Sequence, residues 1–261
     1  MSSLRPRVIP CLQVSGGELL KTRRFKDPTY LGDPINAVKI FNDLECDELV
    51  VVDIRATLEK REPDYALIEE FASEAFMPLA YGGGIDSVDQ IRRILSIGIE
   101  KVVVGTAATD GSLVAAAAGI FGSQSIVVAV DVRKSLFGRR EVWTRSGTRN
   151  AGIEPRAYAV QMENHGAGEL FVQSIDLEGA RTGYDLAMMN EVSSAVKIPV
   201  IACGGAGSLD HIRTLMHSSS VAAAAAGTMF VLHGKHKAPL ISYPRPNEIE
   251  SLGDVQKGST Q

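Results

Sequence analysis

Short apolar runs alternate with longer amphipathic stretches along almost the whole chain. The runs fall at residues 7–12, 48–54, 78–81, 101–104, 125–130, 169–172, 199–202 and 221–225, and each is continuously apolar rather than alternating. Continuity of that kind predicts parallel strands covered on both faces. Residues 34–45, 64–75, 88–97 and 209–217 carry a helical period instead. In 88–97, Ile91, Ile94 and Leu95 share one face while Asp89, Arg92 and Arg93 point elsewhere. Eight strand-then-helix units in about 230 residues predict an α/β fold of the (β/α)8 TIM-barrel type; a doubly wound sheet of this length would use fewer strands.

The second half of the chain repeats the first. Residues 77–92 align with 198–213, and Pro78/Pro199, Gly83/Gly204, Gly84/Gly205, Ser87/Ser208, Asp89/Asp210, Ile91/Ile212 and Arg92/Arg213 match at one spacing of about 120 residues. Gly105-Thr106 and Gly227-Thr228 follow in step. Two four-unit halves closed face to face make a barrel with a twofold half-barrel repeat over residues 1–235. A Pro-rich, polar C-terminal tail, 236–261, comes after it.

Composition narrows the partners. With 27 Lys and Arg against 31 Asp and Glu the net charge is −4, which argues against nucleic acid. The longest apolar run, 220–232, is too short for a bilayer that needs about 20 residues, and the N-terminus lacks a signal-like apolar segment. Cys11, Cys46 and Cys203 are odd in number, unpaired in spacing and set in apolar surroundings, so buried reduced thiols and a cytoplasmic location are expected. His233 and His236 have no further ligands near them, and neither a metal nor a cofactor is expected.

The chemistry gathers at strand ends. Gly82-Gly83-Gly84 and Gly204-Gly205 each stand between a strand and a helix, where backbone N–H groups can approach an oxyanion. Gly105-Thr106 and Ala226-Gly227 end the next strands and complete two cradles, suited to a ligand with a phosphate at each end. Asp53, Asp131, Asp176 and Glu178 follow apolar strands and are candidates for acid/base work or for plain loop capping. Asp131 leads them, and its half-repeat counterpart is Gln13, an amide that exchanges no proton at neutral pH. Basic loops follow strands 1 (Lys21, Arg23, Arg24, Lys26) and 5 (Arg133, Lys134, Arg139, Arg140, Arg145, Arg149) and would draw a phosphorylated ligand to the same mouth. At the opposite end Arg7, Glu48, Lys101 and Glu169 stand at the first residues of strands 1, 2, 4 and 6. They predict a ring of salt bridges, either a structural plug or a gate for a small neutral molecule.

Val-Ile-Pro-Cys-Leu (8–12), Asp33-Pro34, Asp-Glu-Leu-Val (47–50), Gly-Gly-Gly-Ile (82–85), Phe-Gly-Ser-Gln (121–124), Ser-Ile-Asp (174–176), Gly183-Tyr184-Asp185 and Gly-Gly-Ala-Gly (204–207) resemble HisF, the cyclase family of imidazole glycerol phosphate synthase. The resemblance runs over about residues 4 to 230 in order. It implies a half-repeat barrel with a glutaminase docked beneath, ammonia passing to the mouth, and a bis-phosphorylated aminoimidazole carboxamide nucleotide as acceptor. It also implies an ammonia gate at Arg7, Glu48, Lys101 and Glu169, a substrate-binding Lys21 and Ser146, and a catalytic Asp131. The phosphate and substrate positions fall on Asp53, Gly84, Thr106 and Asp176 and on Gly179, Gly205 and Ala226. Glu178 stands where the family has aspartate, Gly227 where it has serine, Gly105 where it has asparagine, and Gln13 where it has its first catalytic aspartate.

These departures, with the shortened C-terminal region, resemble HisF-like paralogues of surface-polysaccharide pathways. Those are thought to feed ammonia to a sugar amidotransferase that makes an acetamidino group. The expectation is an ammonia-channelling subunit of this type, with a cyclase of histidine biosynthesis as the alternative and a silent glutaminase scaffold as a third.

Overall fold

Eight parallel strands close on themselves in a computed structural model that describes residues 5–135, 137–234 and 238–253. They are β1 (Arg7–Ser15), β2 (Leu49–Asp53), β3 (Leu79–Gly82), β4 (Lys101–Val104), β5 (Ile126–Lys134), β6 (Glu169–Ser174), β7 (Val200–Cys203) and β8 (Ala223–Ala226). Each pairs with the next in parallel, and β8 returns to β1 with Arg7 opposite Ala223 and Pro10 opposite Ala226. The TIM barrel expected from the apolar period is therefore present, and closure leaves none of its eight strands at an edge.

Helices α1 (Pro34–Asp43), α2 (Tyr65–Glu74), α3 (Val88–Ile97), α4 (Ser112–Phe121), α5 (Pro155–Asn164), α6 (Leu186–Ser193) and α7 (Leu209–Ser218) cover the outside. Their starts are written locally. Asp33, Asp64 and Asp185 cap α1, α2 and α6, while Ser87 and its repeat partner Ser208 cap α3 and α7 through the backbone N–H groups of Gln90 and His211. Between helices and strands lies the larger apolar core, with Val8, Leu12, Phe41, Ile68, Ile91 and Val128 fully buried. A second, smaller core fills the barrel itself.

Two features depart from the apolar pattern. Strands 1 and 5 were expected to stop at residues 12 and 130, yet both run past the rim. β1 turns back into a hairpin with Glu18–Arg23 and Lys26–Gly32, and β5 pairs antiparallel with Arg140–Thr144. Above the rim the strands carry polar residues such as Gln13, Lys21, Thr22, Asp131 and Arg133 among the apolar ones, so a search for continuous apolar runs passes over them. The basic loops are thus largely hairpins in symmetric positions.

The second departure is the C-terminal segment. Residues 238–253, whose arrangement the sequence left open, fold back onto the barrel and touch the Leu209–Ser218 helix, Phe41 and Phe230. Helix α8 (Pro246–Glu250) is short, but Ile249 and Leu252 are fully buried. The Tyr243 hydroxyl donates to the Val8 carbonyl at 2.8 Å, and its ring packs on Phe41 and Phe230. Residues 235–237 and 254–261, His236 included, lie outside the described residues.

Candidate functional site

The floor of the barrel carries an alternating ring of charge. Arg7 donates to Glu48 at 2.6 Å and to Glu169 at 2.7 Å, and Lys101 reaches Glu169 at 3.0 Å and Glu48 at 3.4 Å. Arg7, Lys101 and Glu169 begin their strands as expected, whereas Glu48 stands one residue before β2. Above the ring the inward positions are uncharged, among them Ile9, Val50, Ala80, Val127, Ala223 and Ala225. Period-two alternation along each strand explains why every second residue from the ring points down the same axis.

At the C-terminal ends of the strands the mouth opens into a cavity of about 370 Å3. It lies off-centre, over β1 to β6, and Gln13, Asp131 and Gly84 all line it. Asp131 lies deep in this cavity, where protein packs around it while one face meets the opening. Burial pushes its carboxyl up to about 7, and no hydrogen bond reaches it among the described residues. Such a group can hold or release a proton near neutrality.

Its neighbour in register on β6 is Gln173, which the sequence reading missed. Gln173 is only 8% exposed, lines the same cavity and has no hydrogen-bond partner among the described residues. Trp143, opposite Asp131 across the hairpin, also lines the cavity with its indole N–H unpaired, and Arg133 stacks on its ring at 4.5 Å. Tyr158 lines it too; burial, then the Asp131 charge, hold its phenol well above the usual range, so it stays a donor. A signal for Gln173 existed in the repeat: β1 pairs Gln13 with Val52, β5 pairs Asp131 with Gln173, and the half-repeat therefore sets Gln173 against Val52.

The other named residues separate into two groups. Asp53 is committed to its own loop: its Oδ1 accepts from the N–H groups of Arg55 and Ala56 at 3.0 Å, and Arg61 closes on Oδ2 at 3.3 Å. Asp176 ties the two hairpins together, accepting from the Lys134 N–H at 2.8 Å. Ser146 donates to the Ile54 carbonyl and Thr106 accepts from the Arg145 N–H, both at 2.8 Å. Those two bonds hold Arg145 and Ser146 in left-handed backbone, rare for residues with side chains, beside the first glycine cradle. At Gly83 a Cβ would lie 2.4 Å from the Asp53 carbonyl, so only glycine lets the cradle approach the strand.

The second cradle is occupied by the protein. Lys21 forms an ion pair with Glu178, their side chains only 6% and 3% exposed. Gln13 joins them: its Oε1 accepts from Thr22 N–H at 2.9 Å, from the Thr22 hydroxyl at 3.0 Å and from Lys21 at 3.3 Å, while its Nε2 donates to Glu178. Glu178 also accepts from the Phe25 N–H, which clamps the first hairpin over this side. Lys21, Glu178, Gly179, Gly205, Ala226 and Gly227 surround a remaining space of about 20 Å3, room for about one water.

Cys11, Cys46 and Cys203 are buried free thiols as expected. Among the described residues no helix is long and apolar enough to cross a membrane, and no group of three metal-ligating side chains assembles.

Comparison with known proteins agrees with this architecture. The family model described as "Histidine biosynthesis protein" matches residues 7–237. The chain is 48% identical over 248 residues to a Pseudomonas aeruginosa protein provisionally named imidazole glycerol phosphate synthase subunit hisF2, covering 95% of this chain and 99% of the relative. It is 45% identical to a Vibrio vulnificus protein provisionally named subunit hisF3, over 94% and 95% of the two chains. To imidazole glycerol phosphate synthase subunit HisF of Trichormus variabilis it is 39% identical, over 85% and 88%. A family match across nearly the whole barrel, with relatives of this identity and coverage, shows that the chain belongs to the HisF family of histidine-biosynthesis barrels.

Proposed function

We propose that the protein is a HisF-type subunit that takes ammonia from a HisH-like glutaminase beneath the barrel and passes it to an acceptor at the mouth. The acceptor chemistry we assign is acetamidino-sugar formation for surface polysaccharide, with a sugar amidotransferase as a further partner, rather than histidine synthesis. The observation that carries this reading is the contrast between an intact charged floor and an altered mouth. The ring of Arg7, Glu48, Lys101 and Glu169 is intact at the floor, and the inward side chains packed above it carry no charge, so a neutral molecule such as ammonia would meet no ionic barrier between ring and mouth. Yet the position that the HisF cyclases fill with an acid holds the amide of Gln13, tied to Lys21, Thr22 and Glu178. Removing one positioned acid/base group costs about 10² to 10⁴ in rate.

The cyclase of histidine biosynthesis is the second reading, favoured by the family description itself. Ammonium and the bis-phosphorylated histidine precursor, given to the purified chain without any glutaminase, separate the two. No imidazole glycerol phosphate is expected, and robust turnover would establish the cyclase instead. Replacing Lys101 with Met in the glutaminase complex should release ammonia to solvent; unchanged coupling would reduce the barrel to a scaffold.

A further inference from the structure

Along β6 the inward positions are Glu169, Phe171 and Gln173, so one strand serves the charged floor, the apolar lumen and the mouth in turn. At the level of the mouth Gln173 stands in register with Asp131 of β5 on one side and Cys203 of β7 on the other. Its side chain is only 8% exposed, lines the open cavity and has no hydrogen-bond partner among the described residues. Buried polar groups in folded proteins are almost always hydrogen-bonded, and leaving an amide without bonds is costly. A glutamine kept in that condition at the edge of a cavity is matched to something that enters the cavity.

The surroundings of Gln173 say what that is. A carboxamide presents an acceptor and donors in one plane, and a second amide matches both. A hydroxyl fills one of the two places, an ammonium offers donors alone, and a carboxylate offers acceptors alone while facing Asp131. Asp53 and Glu59 also line the cavity, but both are held by Arg61. Asp131, which burial pushes up to about 7, is uncharged in a substantial fraction of molecules near neutrality. Below this polar level Cys11, Val103, Ala129 and Phe171 form an apolar bottom to the same cavity. An amide partner set above an apolar bottom fits an amide that carries a methyl group, which is an acetamido group. An acetamidino group is an acetamido group with nitrogen in place of the amide oxygen, so the acceptor proposed above carries this group before ammonia is added.

We propose that Gln173 binds a neutral acetamido group, pairing its carboxamide with the ligand's amide while the ligand's methyl rests on Phe171 and Ala129. This rests on the reading of the mouth as the place where the acceptor waits, and it names the group that the mouth holds. Binding is measured without ammonia or glutaminase, so failure of the amide site and failure of ammonia transfer are separate results.

Titration calorimetry of the full chain near neutral pH with UDP-N-acetylglucosamine and UDP-glucose tests it, since the two differ by an acetamido group against a hydroxyl. The acetamido sugar should bind about tenfold more tightly. Gln173→Leu should remove that preference, weakening UDP-N-acetylglucosamine by about tenfold and changing UDP-glucose by less than about twofold. In amide proton–nitrogen NMR spectra, the side-chain NH2 pair that disappears in Gln173→Leu should shift with UDP-N-acetylglucosamine and stay in place with UDP-glucose. Equal binding of the two sugars, or a Gln173→Leu chain that keeps the preference, would overturn the amide site while leaving the mouth as the acceptor's place. Equal weakening of both sugars in the variant would show that Gln173 touches the nucleotide and would overturn the proposal too, as would no binding of either sugar. Should Gln173→Leu fail to fold, Gln173→Met keeps the length of the side chain without its amide and carries the same expectation.

Discussion

The floor and the mouth of this barrel treat polar side chains in opposite ways. At the floor four charges satisfy one another: each of Arg7 and Lys101 touches both Glu48 and Glu169. At the mouth the side-chain polar groups of Asp131, Gln173 and Trp143 face a cavity with no hydrogen-bond partner among the described residues. Burial without pairing is costly, and a fold retains such groups where a ligand repays them. Pairing marks what the protein needs for itself, and its lack marks what is held for something else.

The largest way to break that comparison is at the floor. Glu169→Leu leaves two cations sharing Glu48, and a loss of about 3 kcal/mol in urea unfolding is expected from breaking a mostly buried charge set. A loss below about 1 kcal/mol would make the ring an ordinary solvated surface cluster.

Next comes Asp131. Its folded-state pKa of about 7 lies above the ordinary carboxylate value, so the folded protein binds the extra proton and loses stability as pH rises from about 4 to 7. Asp131→Asn removes that loss. Its gain should be roughly 2 kcal/mol at pH 8, reduced from the full shift because cavity water screens the charge, and should vanish near pH 4. Thermal melts at the two pH values read the difference, and an equal effect at both would remove Asp131 from the titrating groups.

Ser146→Ala is a smaller test. It deletes the donor to the Ile54 carbonyl and frees a strained turn beside the first cradle, for about 1 kcal/mol. Gln173→Leu should have the least effect on folding, within about 0.5 kcal/mol, because no protein bond is lost. A loss of 2 kcal/mol would mean that its amide serves the barrel after all.

Much of the site was legible before any coordinates. The repeat located both cradles, the strand starts located the floor charges, and Gln13 stood out because its partner Asp131 is an acid. What escaped shows why. Asp53 reads like Asp131, each following a valine-rich strand, yet the first is consumed by Arg55, Ala56 and Arg61 while the second is left free. Gln173 lies in an apolar strand and carries no motif, so only its register beside Asp131 gives it meaning.

The chain by itself determined the eight strands, their twofold repeat, the helix starts at Asp33, Ser87 and Ser208, and the residue types available at each rim. These are properties of period and neighbouring residues, which act over a few positions of sequence. Tertiary structure alone decided that Lys21 would meet Glu178, 157 residues away, and that one cradle would close while its twin stayed open. Hydrogen bonds and ion pairs act over about 3 to 4 Å of space and take no account of distance along the chain.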